Sequence, residues 1–210
     1  MNNSTKTNAS FKSNSHSALG TISYPRITIY TDGSCSWQDK MGGVGLYAEI
    51  EDNNKEITKL NLSMGLQDSS IGQLEILGIL LALMLFTKLT PCLKIYSDSE
   101  YALNIIYADW FINWREVNYR GKKNVELIKL YVKYWESFQN SVILDKVKGH
   151  SGIFGNEKAD ELAGMGRRDA LEGAPFALRK NEIYSFLEYI EGKNFNTLNK
   201  IKGTLVEYII

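Results

Sequence analysis

Residues 72–88 read GQLEILGILLALMLFTK and form the most apolar stretch of the chain. The Leu, Ile, Met and Ala residues have helical spacing and cover most of the circumference, which predicts a helix buried against a sheet. The longest apolar run in it, residues 76–86, has 11 residues, well short of the roughly 20 that a membrane span requires. Pro91 follows and marks the end of the predicted helix.

Strand patterns lie on both sides of this helix. Before it, three segments with β-branched and alternating residues are joined by short links, which predicts an antiparallel meander at residues 26–32, 42–51 and 56–64. After it, we predict strands at 93–97 and 142–148, and helices at 99–107, 125–138 and 156–168. Asn156 is expected to cap the last helix. The order β-β-β-α-β-α-α-β-α indicates a mixed sheet with helices packed on it.

The composition suits one ordinary α/β domain with extensions, since the 210 residues are 44% hydrophobic and 23% charged. Residues 1–24 are dominated by Asn, Ser, Thr and Lys, and we predict a disordered tail there. Residues 25–170 are assigned to the folded domain. Residues 171–210, with helical patterns at 181–190 and 195–210, are assigned to a C-terminal helical extension of unknown role.

Charge and cysteine content limit the function classes. The 24 basic residues balance the 24 acidic ones, so any affinity for nucleic acid must come from a local patch. Cys35 and Cys92 do not make a disulfide framework, and no Cys/His spacing suits zinc. Because the N-terminus lacks an apolar secretory core, we expect an intracellular protein, cytoplasmic or, from a eukaryotic or viral source, nuclear.

Three acidic residues occupy positions that folding alone does not favour. Asp32 and Asp98 each end an apolar strand, and Glu75 lies inside the apolar helix. Each has a simpler explanation, namely an ordinary turn for Asp32, a helix cap for Asp98 and a solvent-seeking side chain for Glu75. Together, however, they predict three carboxylates in one site, where repulsion favours a bound divalent cation.

Oxygen ligands without Cys or His favour Mg²⁺ or Mn²⁺ over zinc. Two such ions about 4 Å apart would activate a water molecule and stabilise the leaving oxygen of a phosphodiester.

A fourth signal is the histidine of residues 147–152, VKGHSG. His150 lies between small residues on a predicted loop, which suits a proton shuttle or a product-release group better than a core residue. Asp160 follows in the next helix and could supply a fourth carboxylate, although an acid near a helix start is also a common solvated residue.

These motifs follow one another in the order found in a known family. They are Thr31-Asp32-Gly33-Ser34-Cys35, Gln73-Leu74-Glu75, Tyr96-Ser97-Asp98-Ser99, and Gly149-His150-Ser151-Gly152 with Asn156-Glu157 and Asp160. On these motifs the chain resembles the type 1 ribonuclease H family over roughly residues 26–169. The resemblance implies the α/β ribonuclease H-like fold, with a five-stranded mixed sheet (three antiparallel strands, then two parallel) flanked by helices.

The resemblance also implies an endonuclease that cuts the RNA strand of an RNA–DNA hybrid with two Mg²⁺ ions, for which Mn²⁺ can substitute. The products would carry 5′-phosphate and 3′-hydroxyl ends. Asp32 would bridge both ions, and Glu75 and Asp98 would complete the site. Asp160 would ligate the second ion, and His150 would assist proton transfer and product release. The partner would be the hybrid duplex, with no membrane and no obligate protein partner, and we expect a monomer.

The implied substrate contacts fall on two segments. The RNA strand, read through its 2′-hydroxyls in the shallow minor groove, would lie against the backbone of Gly33, Ser34 and Cys35, with Gln73 nearby. The DNA strand would be gripped by Trp110, Asn113, Trp114, Lys122 and Lys123. Residues 111–133 hold six basic and two acidic side chains, which suits a duplex, although a solvated helix face has the same charge pattern.

Two departures from the family pattern concern the substrate. Ile71 and Gly72 stand where Asn or Gln is usual, and Glu100 stands where Gln is frequent. Alternatives are the nuclease domain of a retroelement or virus, which no polymerase motif accompanies, and a non-catalytic nucleic-acid-binding module of the same fold. The four acidic residues argue against the binding module, which has no need of converging carboxylates.

Overall fold

The computed structural model of the chain describes residues 24–173, 178–179 and 182. It begins with strands β1 (Arg26–Cys35), β2 (Gly42–Glu51) and β3 (Ile57–Gln67), helix α1 (Ile71–Phe86) and strand β4 (Leu93–Ser97). Helices α2 (Glu100–Tyr107), α3 (Trp110–Glu116) and α4 (Val125–Phe138) come next. A short 3-10 helix (Gln139–Ser141), strand β5 (Val142–Lys146), helix α5 (Phe154–Glu172) and strand β6 (Leu178–Arg179) follow.

The sheet has the strand order β5-β4-β1-β2-β3-β6. β1, β2 and β3 pair antiparallel, whereas β1 pairs parallel with β4, and β4 with β5. The predicted five-stranded mixed sheet flanked by helices is confirmed. The two-residue β6 is an additional edge strand that pairs parallel with β3. The sequence did not predict it, because two residues are too few to show a strand periodicity.

Helix α1 lies between the sheet and two other helices. It packs on β1, β2 and β4 on one side, and on α2 and α4 on the other. All its residues from 73 to 86 are therefore buried, which explains why the segment is apolar around its whole circumference. Each fully buried Leu or Ile contributes about 1.5–3 kcal/mol, so the position of the helix is firmly fixed.

Helix α5 covers the opposite face of the sheet at unusually short range. A Cβ atom on Gly45 would lie 1.9 Å from the carbonyl oxygen of Ala159, and one on Gly43 would lie 2.1 Å from that of Ala163. Any side chain at these two positions would therefore push the helix away. The glycines of β2 set the height of α5 above the sheet.

Two helix assignments from the sequence are incomplete or wrong. Helix α3 was not predicted; it starts after Asp109, which has a left-handed backbone (φ 54°) and makes no side-chain cap. Asn156 does not cap α5, because the helix begins at Phe154 and Asn156 is buried within it. The carboxylate of Glu157 instead accepts the amide hydrogen of Gly152 at 3.1 Å, so a residue inside the helix stabilises its start.

Within the described ranges, no helix combines the length and apolar character needed to cross a bilayer. Apart from Tyr24, the predicted N-terminal tail lies outside the described residues, as do the helical pattern at 195–210 and, apart from residue 182, the one at 181–190.

Candidate active site

Three carboxylates meet at the end of the sheet where the parallel strands β1 and β4 run out. Because β1 and β4 are parallel and Thr31 pairs with Ser97, Asp32 and Asp98 follow at the same edge. Glu75 reaches this edge from the N-terminal part of α1. One oxygen atom from each of the three lies within 4.8 Å of the others. Asp32 belongs to the strand itself and not to a turn, and Ser99, not Asp98, caps α2.

Gly33 allows α1 to come this close. A Cβ atom at this position would lie 3.0 Å from Cβ of Leu74 and 3.1 Å from the backbone nitrogen of Glu75. The backbone N–H of Gly33 donates a hydrogen bond to Oδ1 of Asp32 at 2.7 Å. Gly33 therefore serves both carboxylates, by leaving room for Glu75 and by orienting Asp32.

Burial and mutual repulsion dominate the electrostatics of the group. Burial, and then the charge of Asp98, raise the pKa of Asp32 to about 7. Burial, and then the charges of Asp32 and Asp98, raise the pKa of Glu75 to about 9. The hydrogen bond from Gly33 opposes both increases. Without a counter-charge, Glu75 retains a proton at neutral pH.

This donor set fits a divalent cation. Glu75 is only 8% exposed, which rules out a side chain reaching solvent, and its Oε2 has no hydrogen-bond partner among the described residues. A cation would supply that partner and relieve the repulsion at the same time. All the donors are carboxylate oxygens, the ligands of hard cations. The group is therefore a candidate divalent metal site.

Asp160 approaches the group from the other side of the sheet. Asp32 pairs with Gly45, and Gly45 contacts Ala159, so the next residue of α5 comes close to Asp32. Asp160 is not part of the group of three, yet its charge and a side-chain hydrogen bond add to the raised pKa of Asp32. Its side chain is 45% exposed, so it borders the site on the solvent side.

His150 lies on the loop between β5 and α5. Its backbone is left-handed (φ 48°), and its side chain is 81% exposed. Nδ1 of His150 is 4.0 Å from Oδ2 of Asp160, too far for a direct hydrogen bond. The preceding Gly149 packs so closely on Asp98 that a Cβ atom would lie 2.6 Å from Oδ2. The sequence analysis missed this contact, although glycine beside the motif histidine was a usable signal.

The candidate RNA contacts lie at the same sheet edge, with one difference in exposure. Gly33, Ser34 and Cys35 are the last, partly exposed residues of β1. Gln73 is 5% exposed in the first turn of α1, so its side chain is enclosed. Sγ of Cys35 lies 3.7 Å from the carbonyl oxygen of Ser69, as suits a packed thiol.

The candidate DNA contacts form one aromatic and basic surface on α3 and the turn after it. The ring centroids of Trp110 and Trp114 are 5.7 Å apart, and both rings also pack against the core. Nζ of Lys122 lies 4.4 Å from the centroid of the Trp114 ring, a cation–π arrangement. Asn113 and Lys123 are exposed.

Glu100, which departs from the family pattern beside Asp98, does not bring an isolated negative charge. It forms an ion pair with Lys146 at the end of β5, and the hydrogen bond from this lysine lowers the pKa of Glu100. The pair joins α2 to β5 next to the site.

Comparison with known proteins identifies the family. The family model described as RNase H matches residues 25–168. The Ribonuclease H of Rickettsia canadensis is 36% identical over 152 residues, which cover 70% of this chain and 92% of the relative. That of Syntrophomonas wolfei is 32% identical over 142 residues, covering 65% and 92%.

A solved structure has the same fold. It is titled LC9-RNase H1, a type 1 RNase H with the type 2 active-site motif, and is 20% identical with a TM-score of 0.61. The likeness covers 72% of this chain and 76% of that chain. Because the family model matches residues 25–168 and the fold agrees, the chain belongs to the ribonuclease H family.

Proposed function

We propose that this chain is an endoribonuclease that cleaves the RNA strand of RNA–DNA hybrids by metal-dependent phosphodiester hydrolysis, leaving 5′-phosphate and 3′-hydroxyl ends. The observation that carries the proposal is the buried group of Asp32, Glu75 and Asp98, with oxygen atoms within 4.8 Å of one another. Membership of the ribonuclease H family supports the reaction and the substrate class.

Asp32, Glu75, Asp98 and Asp160 are the proposed ligands of two divalent cations, Mg²⁺ or, as a substitute, Mn²⁺. When bound, such cations supply a water of lowered pKa and stabilise negative charge on the phosphate. The chain holds the carboxylates in place through the N–H of Gly33 and through the packing of α1 and α5. His150 is exposed near Asp160 and is proposed to move protons and assist product release.

The two strands of the hybrid are assigned to two surfaces. We assign the RNA strand to the backbone of Gly33, Ser34 and Cys35, with Gln73 acting from the enclosed first turn of α1. The surface formed by Trp110, Asn113, Trp114, Lys122 and Lys123 is assigned to the DNA strand. The cation–π contact between Lys122 and Trp114 supports the assignment to the DNA strand, because it holds the positive charge of Lys122 over the packed Trp114 ring.

The catalytic domain is proposed to be residues 25–170, acting as a monomer inside the cell. All four carboxylates come from this one range, so the site needs no residue from a second chain. A non-catalytic binding module explains the site less well, since buried carboxylates that repel one another weaken binding to phosphates. A retroelement or viral origin leaves the proposed chemistry unchanged.

The test is cleavage of an end-labelled RNA–DNA hybrid, single-stranded RNA, double-stranded RNA and double-stranded DNA, each with Mg²⁺, Mn²⁺ or EDTA. We expect metal-dependent cutting of the RNA strand of the hybrid alone. Asp32→Asn is the inactive control. Binding of the hybrid without cutting in either metal would contradict the proposed enzyme and favour the binding module.

A further inference from the structure

The loop between β5 and α5 lies directly against one of the proposed metal ligands. A Cβ atom on Gly149 would lie 2.6 Å from Oδ2 of Asp98, closer than two such atoms can approach. Gly149 is not among the glycines with a positive φ, so its backbone conformation is open to other residues. The contact with Asp98 is therefore what requires glycine at this position.

Hydrogen bonds join this loop to the end of β4 and to itself. The amide of Val147 donates to the carbonyl oxygen of Ser97, the residue before Asp98, at 3.0 Å. The hydroxyl of Ser151 donates to the carbonyl oxygen of Lys148 at 2.6 Å, which closes the loop into a turn. The loop thus contacts both the backbone that precedes Asp98 and its carboxylate, so a shift of the loop would displace this ligand.

Glu157 holds the other end of the loop. Its Oε1 accepts the amide hydrogen of Gly152 at 3.1 Å. The start of α5, which supplies this carboxylate, is itself fixed by packing. A Cβ atom on Gly155 would lie 2.3 Å from the ring of Tyr30, and Asn156 is buried. Glycine leaves a loop a wide choice of backbone conformations, so a hydrogen bond to a fixed helix reduces that choice.

We propose that Glu157 and Gly149 are positioning residues for the metal site: Glu157 fixes the loop, and the backbone of Gly149 fixes the carboxylate of Asp98. This inference rests on the proposed function, in which Asp98 and Asp160 are ligands. Asp160 lies three residues after Glu157 in α5, so the loop joins the end of β4, where one ligand lies, to the helix that carries the other. Mg²⁺ requires near-ideal octahedral geometry, and groups that orient its ligands therefore affect its affinity.

The first test measures metal binding by the full-length protein without substrate. Isothermal titration calorimetry with Mg²⁺ or Mn²⁺ gives the Kd of the cation for the wild type, Glu157→Ala and Glu157→Gln. We expect Glu157→Ala to raise this Kd about fivefold or more, because the loop no longer holds Asp98 in place. Glu157→Gln should stay within about twofold of the wild type, since its amide oxygen can still accept from Gly152. Glu172→Ala, which removes a glutamate at the other end of α5, is the matched control and should leave Kd unchanged.

The second test compares the metal dependence of cleavage in Glu157→Ala and Gly149→Ala. Both should raise the Mg²⁺ concentration for half-maximal cleavage about fivefold or more, while KM and kcat at saturating Mg²⁺ stay near those of the wild type. A variant that was merely destabilised would instead lose activity at every Mg²⁺ concentration. Gly164→Ala controls for a methyl group added to a glycine, because its nearest neighbour would be 3.7 Å away. Metal dependence like that of the wild type in Gly149→Ala would overturn the inference.

Hydrogen exchange tests the same link from the side of the metal. Since coupling between two sites is reciprocal, Mg²⁺ should slow exchange of the Gly152 amide in the wild type. In Glu157→Ala this amide should exchange faster and should no longer respond to Mg²⁺. An amide that responds equally in both proteins would contradict the proposed link.

The outcomes separate this inference from the proposed function. If the wild type neither binds a divalent cation nor cuts the hybrid, the proposed function fails. If the wild type does both, and the cation Kd of Glu157→Ala equals that of the wild type, only the inference fails. An equal loss of affinity in Glu157→Gln would assign the effect to the charge of Glu157 and likewise overturn the inference. These two variants decide the outcome even if Gly149→Ala does not fold.

Discussion

Asp32→Asn tests whether repulsion among buried carboxylates dominates the site. The amide oxygen of Asn can still accept the N–H of Gly33, which Oδ1 of Asp32 accepts at 2.7 Å. The amide nitrogen then offers a donor to Asp98 or Asp160, whose charges now raise the pKa of Asp32. The substitution therefore removes one charge, keeps the volume of the side chain and replaces a repulsive contact with a hydrogen bond.

The expected gain in stability follows from the pKa of Asp32, which rises from 3.8 to about 7 on folding. Below pH 3.8 the carboxyl is protonated in both states and folding is unaffected; as the pH rises towards 7, the unfolded chain loses this proton first and stability falls. A difference of one pH unit between the folded and unfolded pKa values corresponds to about 1.4 kcal/mol. Without metal, the unfolding free energy of the wild type therefore falls by on the order of 4 kcal/mol by pH 8. We expect Asp32→Asn to avoid this loss and to abolish cleavage.

The assay is urea unfolding in EDTA from pH 4 to pH 8.5. The unfolding free energy of the Asn variant should exceed that of the wild type by about 2–4 kcal/mol at pH 8 and by under about 1 kcal/mol near pH 4. Mg²⁺ should reduce this difference in unfolding free energy at pH 8, because it stabilises the wild type more than the variant. Asp109→Asn, at the exposed residue directly before α3, controls for the loss of one negative charge. A gap that is the same at both pH values, or a variant that still cuts the hybrid, would refute the reasoning.

Three further substitutions test the surrounding parts of the site. His150→Ala should slow multiple-turnover cleavage roughly tenfold to a hundredfold and single-turnover cleavage less; a loss as complete as that of Asp32→Asn would give His150 a more direct role. Gly45→Ala should destabilise the protein by about 2 kcal/mol in urea unfolding and reduce activity, because its Cβ would displace α5. Gly164→Ala, in α5, is the control and should be tolerated, because a Cβ atom there would lie 3.7 Å from Nη1 of Arg168. Lys122→Gln should weaken hybrid binding about fivefold and reduce the slope of log K against log[salt] by about 1; an unchanged slope would contradict a phosphate contact.

Local signals were sufficient where an element follows its own pattern. The apolar circumference of residues 72–88 correctly predicted a buried helix, because a segment enclosed on all sides needs no polar face. The alternating strands were found because successive side chains of a strand point to opposite faces of the sheet. The order of the elements was enough to predict a mixed sheet.

Local signals failed where tertiary contacts fix an element. Helix α3 follows a left-handed Asp109 without a side-chain cap, and its first residue, Trp110, is held by packing against the core. The start of α5 lacks a capping side chain, so the nearby Asn156 was mistaken for one. In both cases the stabilising partner is distant in sequence or lies inside the helix.

The sequence by itself determined the chemical character of the site: carboxylates at Asp32, Glu75 and Asp98, and their motif order. Only the tertiary structure decided that these groups converge within 4.8 Å, that burial raises the pKa of Glu75 to about 9, and that Asp160 reaches Asp32 from the far layer. The physical reason is that distance and dielectric environment depend on the parallel pairing of β1 with β4 and on helix packing permitted by glycine. Such contacts join residues tens of positions apart, so no local pattern contains them.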